Sequence, residues 1–405
     1  MKKNLFALMA LVIICSCEKN EPVVLKPVGS SAEAEFRRME NIEFTKADES
    51  IAASVDVFGI NLFNEIASEN TADNVVISPV SASIALAMTA NGAKGRTLSQ
   101  ITEALGLNDF SKDALNRYFC KTVNTLMRED ESCSTKIANS AWVNEYFSMK
   151  EAFRDSLVVN YDAEIENVDF GSMETAGIIN RWVKEHTGGL IEKMVDETDG
   201  NIALMLINAL YYSGRWEFSF NEDDVKATFH AVDGDKTCTM LNVRETFNYY
   251  EDDEYQVLEL GYANGRQCFD IYLPKNEGAK LNPEYVTAAT EKLMPETVSV
   301  KLPPFRLEGN YEMIDALKAL GIGDLFDGSA ADLSDIGSGD LFVSRVKQKV
   351  YMDVSKEGTT AGAATEVDFR EKAVTYIDFT ADHPFFFILR DKPSKTILFI
   401  GQKVR

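Results

Sequence analysis

Between two strand-like runs near the C-terminus, at residues 341–354 and 374–379, lies the segment KEGTTAGAATEVDFREKA, residues 356–373. Counted by twos from Thr359, one face carries Thr359, Ala361, Ala363, Thr365, Val367 and Phe369, all small or apolar. The other carries Thr360, Gly362, Ala364, Glu366, Asp368 and Arg370, and it turns charged halfway along. That is the alternation of a strand with one buried side. Yet glycine and alanine are poor strand formers, so the first half has no intrinsic reason to settle in a sheet. Two states fit the residues: a segment able to join a sheet without being committed to it, or a permanently exposed loop with accidental alternation.

The surrounding chain reads as one folded unit over residues 48–405, with no second low-complexity break and no repeat of 20–50 residues. Ile51, Val55, Phe58, Leu62 and Ile66 recur at helical spacing. Val75, Val76 and Ile77 predict a short buried strand, after which Ser78 caps a helix with Pro79 in its first position. That helix ends at Asn91-Gly92, and its small residues Ser81, Ala82, Ala85 and Ala87 allow close approach of other backbone. Residues 178–195 predict a helix interrupted at Gly188-Gly189. Residues 202–212 predict a buried strand ending in a turn at Ser213-Gly214. Strands are expected at 269–273, 341–354, 374–379, 384–389 and 397–400, and a helix at 313–320. Helices and strands mixed without strict alternation indicate an α+β fold rather than a doubly wound sheet.

The first seventeen residues stand apart. Met1-Lys2-Lys3 precedes an apolar run over residues 5–14 that has signal-peptide length and is too short to span a bilayer. Cys17, with Ile14 three residues before it and Ser16 immediately before it, matches the pattern of an acylated bacterial lipoprotein cysteine better than Cys15 does. Multiple acyl chains on Cys17 anchor firmly where one would not. Residues 18–47, with two prolines, a Gly-Ser-Ser and many charges, read as a tether. The domains expected are therefore a signal over 1–17, a tether over 18–47 and a folded domain over 48–405. The location that follows is the cell envelope, surface-exposed or periplasmic, or extracellular after release.

A net charge of −23 repels phosphate backbones, so nucleic acid is not an expected partner. With 45% hydrophobic and 26% charged residues, the composition is that of a folded chain. Cys120, Cys133, Cys238 and Cys268 show no metal-ligand spacing, and no cofactor is expected. A short Cys120–Cys133 disulfide is left open. No GxSxG elbow is present, and His186, His230 and His383 fall at a helix end, in a strand and in a turn, without a triad pattern. The chain does not read as an enzyme.

Five motifs in order resemble the serpin family over essentially all of residues 48–405. KEGTTAGAAT resembles the proximal hinge of inhibitory members. It comprises Glu357, Gly358, Thr359, Thr360, Ala361, Gly362, Ala363, Ala364 and Thr365 after Lys356. ISPVSASIALAM resembles the family's helix-B segment, with Ser78, Pro79, Ser81 and Leu86 matching. INALYYSGRWEFSF places Asn208 at the centre of the main sheet, with Gly214, Trp216 and Phe220 near its top. VSVKLPPFRLEGNYEMIDALKALGI with GSAADLSDI, and HPFFFILR, complete the set. One departure is Gln348, where the family often has a histidine bonded to the asparagine. Its amide is expected to keep a contact with Asn208 while losing any pH response. The other is an end at Arg405, slightly short of the family's usual one.

The resemblance implies a single-domain, metastable serpin fold with an exposed reactive-centre loop, and inhibition of serine proteases by suicide. The protease attacks a bait bond, an acyl-enzyme forms, and the cut loop enters the main sheet as a new strand. Counting from Gly358 sets the bait bond at Lys372-Ala373, which implies trypsin-like targets whose specificity pocket ends in an Asp. Phe369 and Arg370 are alternative baits. Thr359 would enter first. A monomer is implied. The competing readings are a non-inhibitory carrier or chaperone, an inhibitor of elastase-like or cysteine proteases, and a purely structural surface lipoprotein. No dense basic helix suggests a polyanion cofactor.

Overall fold

A computed structural model describes residues 34–128, 130–221, 225–359 and 376–405. Cys17 and the expected bait and hinge residues from Thr360 onward therefore lie outside the described residues. The elements run α1 (Lys46–Glu69), β1 (Val75–Ile77), α2 (Pro79–Gly92), α3 (Gly95–Ala104), α4 (Lys112–Leu126), β2 (Cys133–Asn144), α5 (Glu151–Tyr161), β3 (Ala163–Val168), α6 (Thr175–His186) and β4 (Leu204–Arg215). They continue with β5 (Val225–Ala231), β6 (Gly234–Glu251), β7 (Tyr255–Gly261), β8 (Gln267–Pro274), α7 (Pro283–Lys292), β9 (Met294–Leu302), β10 (Phe305–Glu312) and α8 (Ile314–Ala319). The last are β11 (Val343–Val354), β12 (Gly358–Thr359), β13 (Ile377–Thr380), β14 (Phe385–Asp391) and β15 (Thr396–Lys403).

Two mixed sheets hold the strands. One runs β10-β11-β12-β4-β2-β3. The other runs β1-β15-β14-β8-β7-β6-β9-β13, with β5 paired to β6. Helices interspersed with mixed sheets make this the α+β fold the sequence indicated. The helix starts follow from local chemistry. Thr45 and Asp48 form a reciprocal capping box before α1. Ser78 Oγ accepts from the Ser81 N–H at the start of α2, with Pro79 next to it. Almost every side of α2 is buried, so its small residues serve packing. Aromatic rings join the sheets, with Phe305 of β10 against Phe385 and Phe387 of β14.

Three expectations are corrected, and the open question of a Cys120–Cys133 disulfide is answered. Residues 34–47 do not belong to a tether. Phe36 and Phe44 pack on the core, Arg37 N–H donates to Val159 O at 3.0 Å, and Met39 N–H donates to Asn124 Oδ1 at 2.9 Å. Two isolated aromatics without a period left no sequence signal of this docking. The helix expected over 178–195 ends at His186, because Gly188 and Gly189 take φ of +64° and +85°. Ile191, Met194 and Val195 mimic helical spacing but are buried by lying on a sheet instead. Strand β4 does not turn at Ser213-Gly214 but runs on to Arg215. Cys120 and Cys133 are both free thiols.

One cluster of buried charge joins three strands of the second sheet. Arg390 of β14 reaches Asp270 of β8 at 2.5 Å and also pairs with Glu259 of β7, which Lys392 contacts at 2.8 Å. Burial pushes the Asp270 carboxyl up despite Arg390, whereas Glu259, which burial alone would raise, is held below its usual value by Lys392, Arg390 and Asn248. Removing the Arg390 guanidinium leaves the buried Asp270 carboxylate without its cation while Lys392 still pairs with Glu259, so Arg390→Ala is expected to cost about 3–5 kcal/mol. A denaturant midpoint unchanged from the parent protein would contradict this.

Candidate functional site

The residues singled out by sequence converge on the seam between β4 and β11. Strand β4 is almost wholly buried in its first seven residues, as a central strand must be. Strand β11 pairs with it in parallel, from Val343↔Leu204 to Val350↔Leu210. Beyond Val350 the strands part, and β12 fills the gap, antiparallel to both. Thr359 lies opposite Val354 of β11 and Gly214 of β4, and Gly358 lies opposite Arg215.

This wedge is built on two glycines. A Cβ at Gly358 would strike Gly214 O at 2.1 Å, and its φ of +151° is one that side chains rarely adopt. A Cβ at Gly214 would meet the Tyr212 hydroxyl at 2.3 Å. Ser355 closes the turn from β11 into β12, its N–H donating to Gly358 O at 2.8 Å and its hydroxyl to Glu357 Oε2 at 2.9 Å. Trp216 holds the turn from the β4 side, with its indole N–H on Ser355 O at 3.0 Å and its backbone N–H on Glu357 O at 3.3 Å. Tyr262 stacks on Trp216 with ring centroids 4.7 Å apart, and its hydroxyl lies 2.6 Å from Thr359 Oγ1. Thr359 is 1% exposed. Glu357, Gly358 and Thr359 are thus already seated between the strands.

Midway down the seam a row of amides crosses the sheet on its core-facing side. Asn139 of β2 donates to Tyr161 O at 2.9 Å and accepts from Asn208 Nδ2. The expected contact between Gln348 and Asn208 is absent, although the two are direct neighbours across the seam. The Gln348 amide instead accepts from Ser78 N–H at 2.9 Å and donates to Ser78 O at 2.8 Å. The reason is geometric, because the backbone between β1 and α2 offers a donor and acceptor side by side that one primary amide satisfies. Asn208 Oδ1 and Ser81 Oγ are buried without a partner among the described residues. The row is therefore bonded on each side of the seam and not across it.

Sequence reading missed Asn139, Tyr262 and Ser355, which carry no motif and matter only through pairing. Other groups with chemical potential are occupied. Ligand atoms of Glu259, Cys268 and Asp270 lie within 4.8 Å of one another, but Arg390 and Lys392 already satisfy the carboxylates, and burial pushes the Cys268 thiol well up. His186 contacts Trp182 O, His230 contacts Asp235, and His383 lies between Asp382 and Pro274 O. None of those partners is a serine or cysteine side chain. No helix among the described residues is long and apolar enough to cross a membrane.

A central parallel pair thus parts at one end around a short wedge strand. The family model described as "Serpin (serine protease inhibitor)" matches residues 53–405, and the chain belongs to the serpin family. It is 35% identical to the leukocyte elastase inhibitor of Sus scrofa, over 87% of this chain and 99% of that protein. It is 32% identical to serine protease inhibitor 42Dd of Drosophila melanogaster, over 85% and 94%. Among solved structures, the thermophilic serpin tengpin in the native state aligns with a TM-score of 0.82 and 30% identity, covering 92% of this chain and 97% of that one.

The seat of the hinge is testable. Gly358→Val places side-chain atoms against Gly214 O, so the β12 pairing is expected to be lost. Amide exchange at Gly358 and Thr359 should rise at least about tenfold, while exchange in β14 stays unchanged. Unaltered protection at both sites would contradict the wedge.

Proposed function

We propose that this chain inhibits serine proteases of trypsin-like specificity by inserting its cleaved loop between β4 and β11. The observation that carries this reading is the hinge already wedged at Gly358 and Thr359, which gives the insertion a start and a register. From Val354↔Thr359, antiparallel counting down β11 sets Glu366 opposite Lys347 and Asp368 opposite Arg345. Cross-strand pairs in register share a face, so the loop's charged face meets two cations of the sheet. Its small and apolar face, Ala361, Ala363, Thr365, Val367 and Phe369, goes to the core side with Gln348 and Val350. Lys372-Ala373 is the bait bond, with Arg370 and Phe369 as alternatives. The protease's serine attacks the bait carbonyl, an acyl-enzyme forms, and insertion carries the acylated protease away before water completes the cycle.

The names of the relatives support a second specificity, since several are elastase inhibitors. Under that reading a small or apolar residue near Ala373 or Phe369 is the bait. We further place the chain as a monomer on the cell envelope, held through acylated Cys17.

Mixing the protein with trypsin should give a complex that survives denaturing electrophoresis at the summed mass. Lys372→Gln should slow complex formation with trypsin at least ~100-fold, because the protease's pocket carboxylate loses its cation. Mass spectrometry of the released C-terminal peptide reads the cleaved bond, and a peptide beginning elsewhere than Ala373 would move the bait. Thr359→Arg should turn the inhibitor into a substrate, since Thr359 is buried beside Tyr262 and an unpaired charge there opposes seating. Cleavage of the parent protein without any stable complex would refute inhibition.

A further inference from the structure

A cavity of about 910 Å³ lies where β14 begins and β15 ends, the opposite end of that pair from its connecting turn. Its walls are the last turns of α1, the loop 275–280 after β8, and residues 230–232 at the end of β5. Among the described residues, none of α7 and none of the β14–β15 turn lines it. Its size falls within the ~300–1,000 Å³ of sites for small organic ligands.

Hydrogen bonds tie each wall to the next. Asn64 Nδ2 of α1 donates to Leu281 O at 2.9 Å, and His383 Nε2 lies 2.8 Å from Pro274 O. His230 N–H donates to Asp382 O at 2.7 Å, and Val232 N–H donates to Val404 O at 2.9 Å. Gln402 Nε2 of β15 donates to Asp73 O at 3.0 Å and Asn70 O at 3.4 Å beyond the end of α1. The cavity is thus preformed, as ligand sites usually are.

Three features describe its occupant. The lining is largely apolar: Phe63 meets Phe386 edge-on with ring centroids 6.2 Å apart, beside Ala67, Pro384 and Val404. Val232 leaves 51% of its surface exposed there, which an apolar body would cover. Gln402 is only 7% exposed, and its Oε1 has no partner among the described residues, so it calls for a donor. The lining also carries Lys275 and Lys280 against the single acid Glu277, in a chain of net charge −23. Lys275 pairs with Glu251 at 2.8 Å, whereas the Lys280 ammonium has no partner among the described residues.

We propose that this cavity binds an apolar carboxylic acid that carries a hydroxyl or amide donor. The apolar body lies against Phe63, Phe386 and Val232, the donor meets Gln402 Oε1, and the carboxylate sits beside Lys280. The site is separate from the inhibitory reading and does not depend on it.

The test is calorimetric titration of the full chain with ω-hydroxydodecanoate below its micelle concentration. One saturable site per chain is expected. The methyl ester of the same acid should bind about fivefold more weakly, the worth of an exposed ion pair. Lys280→Gln should weaken the acid by a similar factor and leave the ester unchanged. Ala67→Trp fills the cavity from α1 and should abolish binding. Val232→Glu, at a half-exposed position, sets a like charge at the mouth and should weaken the acid without disturbing the core. Denaturant midpoints matching the parent's show that the variants fold. Absence of saturable binding by the parent overturns the site, as does parent-like binding by both Ala67→Trp and Val232→Glu. Equal binding of acid and ester overturns the assignment of an anionic ligand.

Discussion

The structure depends on how one pair of parallel strands is held together. The seven paired positions between β4 and β11 are joined by backbone hydrogen bonds, and the side chains around them are arranged to leave the joint separable. Gln348 turns its amide to Ser78, Asn208 turns to Asn139, and Asn208 Oδ1 faces the joint unpaired among the described residues. An unpaired buried carbonyl is unfavourable by roughly 1–3 kcal/mol. Its position in the middle of the main sheet puts that strain where a new strand would pass. The joint between the two halves of the sheet is held by its backbone ladder, and the Asn208 and Gln348 amides add no bond across it.

At the top of this joint the protein has already begun to open. The crossing at Gly214 leaves no room for a side chain at Gly358, and Trp216, Tyr262 and Ser355 hold the wedge against both strands. At Gly358 a Cβ would strike the Gly214 carbonyl, so glycine is what lets the chain turn from β11 straight back between its neighbours. On the proposed insertion, small residues after Thr359 have a physical purpose, because each would pass into a slot bordered by packed strands. The opposing features are a wedge at one end and a ladder along the rest.

Much of this was legible in the sequence. The Ser78-Pro79 helix start and the buried run in β4 rest on local patterning and folded as it implied, and of the period-two face only Thr359 lies among the described residues. What was not legible depends on which strands become neighbours. Gln348 was matched to Asn208 because the family often has a histidine bonded to the asparagine, but the nearer backbone of Ser78 offers two hydrogen bonds instead of one. Residues 191–195 have helical spacing, yet two glycines of positive φ divert them onto the sheet. Phe36 and Phe44 gave no signal because isolated aromatics acquire meaning only when a surface receives them. The seating of Glu357, Gly358 and Thr359 is a matter of register, which a single chain's composition does not encode.

If opening of the β4–β11 joint is the act that this fold is built to perform, locking the joint must abolish that act and leave the rest intact. Leu210→Cys with Val350→Cys places a thiol pair at the last closed position, where the two residues face each other in register. The measurement is the fraction of protease captured in a complex stable to denaturant, before and after reduction of that pair. The oxidised protein should be cleaved without capturing protease, and reduction should restore capture. Capture by the oxidised protein at the parent's level would show that the joint does not open, and would contradict the account.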